Sequence, residues 1–180
     1  MTAVTIGHDP IVTTELPSPL GSLVAGATRD GICLLEFAGR QRIDEHFNAL
    51  RPRLRPGVVQ GDNDHLARLR DQIHAYFAGS LTVFTVPLVM TGTPFEERVW
   101  TALLGVPYGK TTSYGELARA IGEPALAARA VGRANGRNRI AIVIPCHRVI
   151  GKDRTLVGYG GGLWRKQRLI ELEDPQRRLI

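Results

Sequence analysis

Residues 140–144, Ile-Ala-Ile-Val-Ile, form a short apolar run that stops at Pro145 and is followed at once by Cys146, His147 and Arg148. A run this short and this apolar, rich in β-branched residues, reads as a buried strand rather than a helix. Pro145 lacks a backbone donor and ends regular pairing. Whatever the chain folds into must bury this run and hold a thiol and an imidazole at its end.

The sequence before that point divides in two. Residues 13–16, 23–27 and 32–37 read as strands, with Asp30-Gly31 as the turn between the last two. Ile43, Phe47 and Leu50 lie at helical spacing, and Arg51-Pro52 ends that helix. Residues 54–61 read as a loop rich in Pro and Gly. Asn63 or Asp64 caps a second helix with Leu66, Leu69, Ile73 and Phe77 on its apolar face, and Gly79 stops it. Residues 81–86 are β-rich and lead into a linker at 87–92. The expected division is a supporting α/β domain over residues 1–90 and a second domain over 91–180.

The second half is mainly helical. Thr93-Pro94-Phe95-Glu96 is a capping box with proline at the first helical position, and Trp100 falls on the apolar face that follows. Ser113-Tyr114-Gly115-Glu116 is a second capping box. Its helix breaks at Gly122-Glu123-Pro124, and another runs from about Ala125 to Ala134, ending at Asn135-Gly136. Two short helices around a tight turn fit a helix-turn-helix, although an ordinary helical hairpin has the same pattern. The overall expectation is an α+β protein.

Charge adds a functional constraint. Residues 1–90 hold 8 Lys and Arg against 9 Asp and Glu, whereas residues 91–180 hold 15 against 8. The surplus gathers around the thiol: Arg129, Arg133, Arg137, Arg139, Arg148, Lys152 and Arg154 face only Asp153 between positions 129 and 154. A local surplus of this kind favours a polyanion partner over a merely solvated face. The helix at 125–134 sharpens the point. Apart from Leu126 and Val131 it is built of small residues, with Arg129 and Arg133 as its charges, so its backbone can approach another surface closely. A narrow minor groove is such a surface.

Cys33 and Cys146 make no disulfide framework, and a reduced, cytoplasmic protein is expected. Cys33 lies among apolar residues as a core thiol. His8, His46, His65 and His74 have no zinc-like spacing, and no run is long and apolar enough to span a bilayer. Residues 1–10 lack the pattern of a secretory signal. A thiolate is the reactive form of cysteine, so Cys146 needs a base or a positive field. His147 is adjacent, but neighbours in extended chain point to opposite sides, and only a turn or a bridging water would join them. Glu171 or Glu173 could orient the imidazole. From these residues alone, a reactive thiol and a buried structural one are evenly matched.

Four segments in fixed order resolve that choice: Ser113-Tyr114-Gly115-Glu116-Leu117-Ala118, Ala128-Arg129-Ala130-Val131-Gly132, Asn138 through Pro145-Cys146-His147-Arg148-Val149, and Gly158-Tyr159-Gly160-Gly161-Gly162-Leu163. Together they resemble the O6-alkylguanine-DNA alkyltransferases, over most of residues 93–173. The first half resembles that family's N-terminal domain only in length and strand-helix order. The resemblance implies a small ribonuclease H-like α/β domain followed by a helical, winged-helix-like domain.

It also implies roles. Cys146 would accept an alkyl group from O6-alkylguanine, and from O4-alkylthymine, in double-stranded DNA. His147 would act as base through a water, with Glu173 setting its tautomer. Tyr114 would donate to the departing guanine, and Asn138 would form the hinge before the thiol. Arg129 would replace the flipped base in the stack, with Ala128, Ala130, Gly132, Arg133 and Ser113 along the DNA. The backbone carbonyls of Cys146 and Val149 and the amide of Gly160 would read the guanine edge, Tyr159 would form one wall of the pocket, and Asn135 and Arg148 would complete it. Arg139 stands where the family often has proline, which could loosen the hinge or add a phosphate contact. The resemblance implies no cofactor, no metal, no membrane and no obligate protein partner, and it is compatible with cooperative assembly on DNA. Other readings are a phosphate-cradling loop at 158–162, a thiol hydrolase using Cys146 and His147, and a non-transferring or alkylation-sensing helix-turn-helix protein.

Overall fold

The computed structural model describes residues 10–50 and 57–174 of the chain. Its first half is a four-stranded sheet flanked by two helices. Strands β1 (Ile11–Leu16), β2 (Leu23–Thr28), β3 (Gly31–Phe37) and β4 (Val58–Gln60) are ordered β3-β2-β1-β4. The β1–β2 and β2–β3 pairs are antiparallel, and β1–β4 is parallel. Helices α1 (Arg40–Leu50) and α2 (Asp64–Phe77) complete this half.

The capping residues act as the sequence predicts. Asn63 Oδ1 accepts from Leu66 N at 2.9 Å and opens α2. Thr93 and Glu96 form a reciprocal capping box on α3 (Pro94–Leu104), and Ser113 and Glu116 form another on α4 (Tyr114–Ala120). A turn containing Gly122 and one 3₁₀ turn, Ala125–Ala127, lead into α5 (Ala128–Gly136), so the helix starts three residues later than its composition suggests. Two-residue strands β5 (Thr112–Ser113) and β6 (Val149–Ile150) pair in parallel, and α6 (Leu163–Glu173) ends the described chain.

Several expectations need correction. Residues 140–144 are not a strand. Only Ile140 bridges to β3, at Leu35, and residues 141–144 form a buried turn. The cause is Asn138. Its Oδ1 accepts from Ile140 N at 2.9 Å, and its Nδ2 donates to Ile144 O at 2.9 Å, so one side chain serves backbone groups a strand would have paired. Ile142 has φ 70°, a strained conformation for a β-branched residue, held by complete burial of its side chain.

Residues 81–86 also form no strand. Thr85 is bound to α2 instead: its amide donates to Gln72 Oε1 at 2.9 Å, and its hydroxyl accepts from Arg68 and Gln72. The expected loop at 54–61 contains β4, which pairs with β1 although its side chains are exposed. The β2–β3 turn falls at Arg29-Asp30, one residue early, because Gly31 already pairs with Thr28. The helix end at Arg51-Pro52 and His8 lie outside the described residues.

All seven residues of β3 are buried. Its outer edge is covered by two separate segments: Ile32 N donates to Pro87 O, Val89 N to Ile32 O, Leu35 N to Arg139 O, and Ala141 N to Leu35 O. One apolar cluster therefore runs from Leu16, Leu23 and Leu35 of the sheet, through Leu69 and Tyr76 of α2, to Trp100, Leu117, Val131, Ile144 and Leu169. Trp100 sits in it with its indole N–H donated to Ala134 O at 2.9 Å. Cys33 is buried in a smaller cluster with Ile11 and Leu50, and burial pushes its thiol up to about 12. Among the described residues no helix is long and apolar enough to cross a membrane.

Candidate active site

Pro145 is followed by one 3₁₀ turn, Cys146–Arg148, rather than by extended chain. That turn removes the strict alternation by which extended chain would send the thiol and the imidazole to opposite sides. Cys146 is 6 % exposed and His147 0 %. Burial pushes the Cys146 thiol up to about 11, a hydrogen bond from Asn138 and the cations Lys166 and Arg42 pull it down, and Glu36 raises it. At neutral pH the resting group is a protonated thiol that needs a base.

His147 is the candidate base. Its Nε2 is 2.8 Å from Glu173 Oε1. Burial holds Glu173 up, but hydrogen bonds and charges from His147 and Arg148 outweigh it, and the carboxyl falls to about 2. Since an ionised carboxylate only accepts, the imidazole proton must lie on Nε2, leaving a lone pair on Nδ1. Nδ1 is buried with no hydrogen-bond partner in the protein. Burial also lowers the His147 pKa below its usual value, so the ring is neutral and ready to accept.

Glu173 is the hub of this arrangement. Besides His147 it accepts from Tyr76 Oη at 2.7 Å, Arg148 Nε at 2.8 Å, Arg148 Nη2 at 3.0 Å and Gly109 N at 3.2 Å. Of the two acids the sequence offers, Glu171 instead pairs on the surface with Arg168 and Gln167.

A cleft opens at the thiol, walled by Asn135, Gly136, Asn138, Ala141 and residues 158–161, with Glu36 and Arg42 from the first half. Asn135 Nδ2 donates to Cys146 O at 3.4 Å, while its Oδ1 and the Tyr159 hydroxyl are buried with no partner. Beside the cleft, Tyr114 Oη donates to Val157 O at 3.2 Å. Its ring lies close over Gly132, where a Cβ would stand 3.6 Å from it. Burial first, and then negative charge on Cys146 when its thiolate forms, raises the Tyr114 pKa, so its phenol stays a donor.

The structure does not bring all the expected residues to this cleft. The Arg148 side chain points away from it, because Glu173 and Val106 O take its donors and its guanidinium lies over Tyr108. The Val149 side chain is buried in β6 and lines no part of the cleft, which leaves its backbone as the group on offer there. Arg139 is turned inward: it donates to Thr91 O at 2.7 Å and lies over Trp100. Ser113 Oγ caps α4.

On the outside, Arg129 and Arg133 are exposed on α5 without a hydrogen bond or ion pair among the described residues, while Ala128, Ala130 and Gly132 are half-buried between them. Leu126, in the turn before α5, is 94 % exposed.

Three residues at the site escaped the sequence reading. Lys166 is fully buried, donates to Val157 O at 2.6 Å and Gly158 O at 3.2 Å, and so ties α6 to the glycine loop. Burial lowers it to about 8. The spacing of Lys166, Leu169 and Glu173 on one face of α6 was its available signal. Glu36 and Arg42 had none, since only tertiary folding brings them to the thiol. Among the described residues no group of three or more His, Cys, Asp or Glu could hold a metal ion.

The chain matches two family models: "6-O-methylguanine DNA methyltransferase, ribonuclease-like domain" over residues 11–90 and "6-O-methylguanine DNA methyltransferase, DNA binding domain" over residues 94–175. It is 47 % identical over 162 residues to the methylated-DNA–protein-cysteine methyltransferase of Mycobacterium leprae, covering 90 % of this chain and 92 % of that one. It is 41 % identical over 157 residues to the protein of the same name from Methanosarcina acetivorans, covering 87 % and 94 %. Among solved structures it resembles Mycobacterium tuberculosis OGT in complex with DNA, with a TM-score of 0.76, 44 % identity and coverage of 90 % and 92 %. With a buried imidazole–carboxylate pair directly after a buried thiol and both halves matched along their length, the chain belongs to the 6-O-methylguanine DNA methyltransferase family.

Proposed function

We propose that the protein repairs DNA by moving an alkyl group from O6-alkylguanine, and from O4-alkylthymine, in duplex DNA to its own Cys146. The observation that carries this is the buried His147–Glu173 pair directly after the buried Cys146 thiol, with a neutral imidazole whose free Nδ1 is suited to take the thiol proton. The Cys146 sulfur attacks the alkyl carbon, the S–C bond forms as the O6–C bond breaks, and the thiol proton passes to His147 through a water. Tyr114, kept protonated, donates to the departing guanine and so offsets the charge left on it. The thioether has no route back to a thiol, so each molecule acts once.

The target atom is inaccessible in a stacked duplex, and flipping the base costs a few kcal/mol. Exposed Arg129 and Arg133 on the slim face of α5 suit a groove contact, with Arg129 entering the stack in place of the flipped base. Asn135, Tyr159 and Gly160 then face the base. Residues 91–180 bind DNA and transfer the group, and residues 1–90 support them. Both cysteines are free thiols, which supports a reducing, cytoplasmic setting. No protein partner is needed for this chemistry.

The test is to mix stoichiometric protein with a duplex carrying one O6-methylguanine and measure intact mass. One added methyl on Cys146, with no further turnover, is expected. An intact lesion with unmodified protein overturns the reading. Cys146→Ala should abolish transfer yet retain lesion binding in a gel-shift assay.

A further inference from the structure

Cys146 is almost closed off from solvent, yet the proposed reaction needs a base to reach it. Most of the cleft wall cannot easily move: Asn135, Asn138 and Ala141 are buried, and the Asn138 side chain is bound to the turn beneath the thiol. The rest of the wall is the exposed end of α5 at Gly136, the glycine loop at 158–161, and Arg42, a half-buried side chain from α1 that reaches across from the first half.

Arg42 Nη2 donates to Gly136 O, at the end of α5, at 3.1 Å. Its guanidinium also lies against Gly160, so closely that a Cβ there would collide with Nε, Cζ and Nη2. One planar group therefore joins the end of the arginine-bearing helix to the glycine loop over the thiol. Its other side is anchored: Arg42 Nε donates to Glu36 Oε2 at 2.6 Å, and Nε2 of buried His46 lies 3.2 Å from the same oxygen. Glu36 Oε1 accepts from Phe37 N at 2.9 Å, which fixes the carboxylate on β3. Burial would raise the Glu36 pKa, but His46 and Arg42 together hold it below the usual range. A buried carboxylate bound this fully holds an arginine, and its role is explained by neither the acceptor array nor the DNA face.

We propose that Arg42, anchored by Glu36 and His46, is an access gate for the thiol: its contacts with Gly136 and Gly160 close the cleft in the free protein and must be released before a base or reagent reaches Cys146. The Gly136 contact couples the gate to α5, the helix proposed to lie on DNA. This deepens the proposed function, since it says which group decides access to that site.

Iodoacetamide tests the gate without requiring any recognition of guanine. It alkylates sulfur with loss of iodide, and peptide mass spectrometry resolves Cys146 from Cys33. Cys33 is the internal control, because it lies in the core of the first half and reacts only if that half opens. In Arg42→Ala, carbamidomethylation of Cys146 should accelerate about tenfold, the factor expected on loss of a hydrogen bond to a charged group, with Cys33 unchanged. An unchanged rate at Cys146, or a parallel rise at both thiols, overturns the gate. Arg42→Lys keeps the charge beside Glu36 but loses the flat cover on Gly160, and should still react several-fold faster than the wild type. A wild-type rate in that variant would also overturn it. Failure of the wild-type protein to take methyl from the O6-methylguanine duplex would defeat the proposed function while leaving the iodoacetamide result, and so the gate, intact.

Discussion

A carboxylate is stable in a protein interior only if donors and positive charge surround it. Glu173 has both, from Arg148, His147, Tyr76 and Gly109. Glu173→Gln removes the charge and leaves the buried Arg148 without its counter-ion. The loss should be on the order of 3–5 kcal/mol. That corresponds to a drop in melting temperature of roughly 10 °C, readable by calorimetry. The same group sets a pH dependence. Its carboxyl falls from 4.5 in the unfolded chain to about 2 in the folded one, so the unfolded state binds more protons between those values. Its stabilisation is complete above pH 4.5 and is lost as pH falls toward 2. His147 acts in the same direction from a higher starting point, because its folded pKa also lies below its ordinary 6.5. Urea midpoints should therefore hold from pH 8 to 7 and fall steadily at lower pH; a midpoint that rises on acidification would contradict this assignment.

At the scale of elements, α5 is the unit that links charge to the thiol. Its small residues allow close approach, Arg129 and Arg133 project outward, and its last turn ends at Gly136 beside the cleft. Arg129→Ala should slow transfer from duplex far more than from free O6-benzylguanine, since only the duplex requires flipping. Paired single-turnover rates check this, and an equal loss on both substrates would argue against a stacking role. The capping boxes at Thr93 and Ser113 were legible in sequence because a cap is a local device: all its atoms lie within four residues. The turn at 141–144 was not. Its apolar residues read as a strand, and the competing factor was a single amide side chain, Asn138, bonded to backbone two and six residues ahead. Hydrophobic pattern reports burial, and burial is common to strands and to turns of this kind.

At the scale of the whole molecule, the apolar cluster joins the sheet to the helices that carry the thiol, and the edge of β3 is bonded to both the 87–89 segment and residues 139–141. Thermal unfolding should therefore be one cooperative transition, with equal calorimetric and van't Hoff enthalpies. Two resolved transitions would mean that the halves are held together less firmly than this core implies. By itself the sequence determined the order of elements, the helix caps, the charged half, and the motifs around Cys146, because each depends on residues close together in the chain. Tertiary structure alone decided that Tyr76 and Arg148 gather on Glu173, that Arg148 and Arg139 turn inward, and that Glu36 and Arg42 reach the thiol. Those outcomes depend on which groups compete for a buried charge or a free backbone atom across tens of residues, and only the packed chain brings the competitors together.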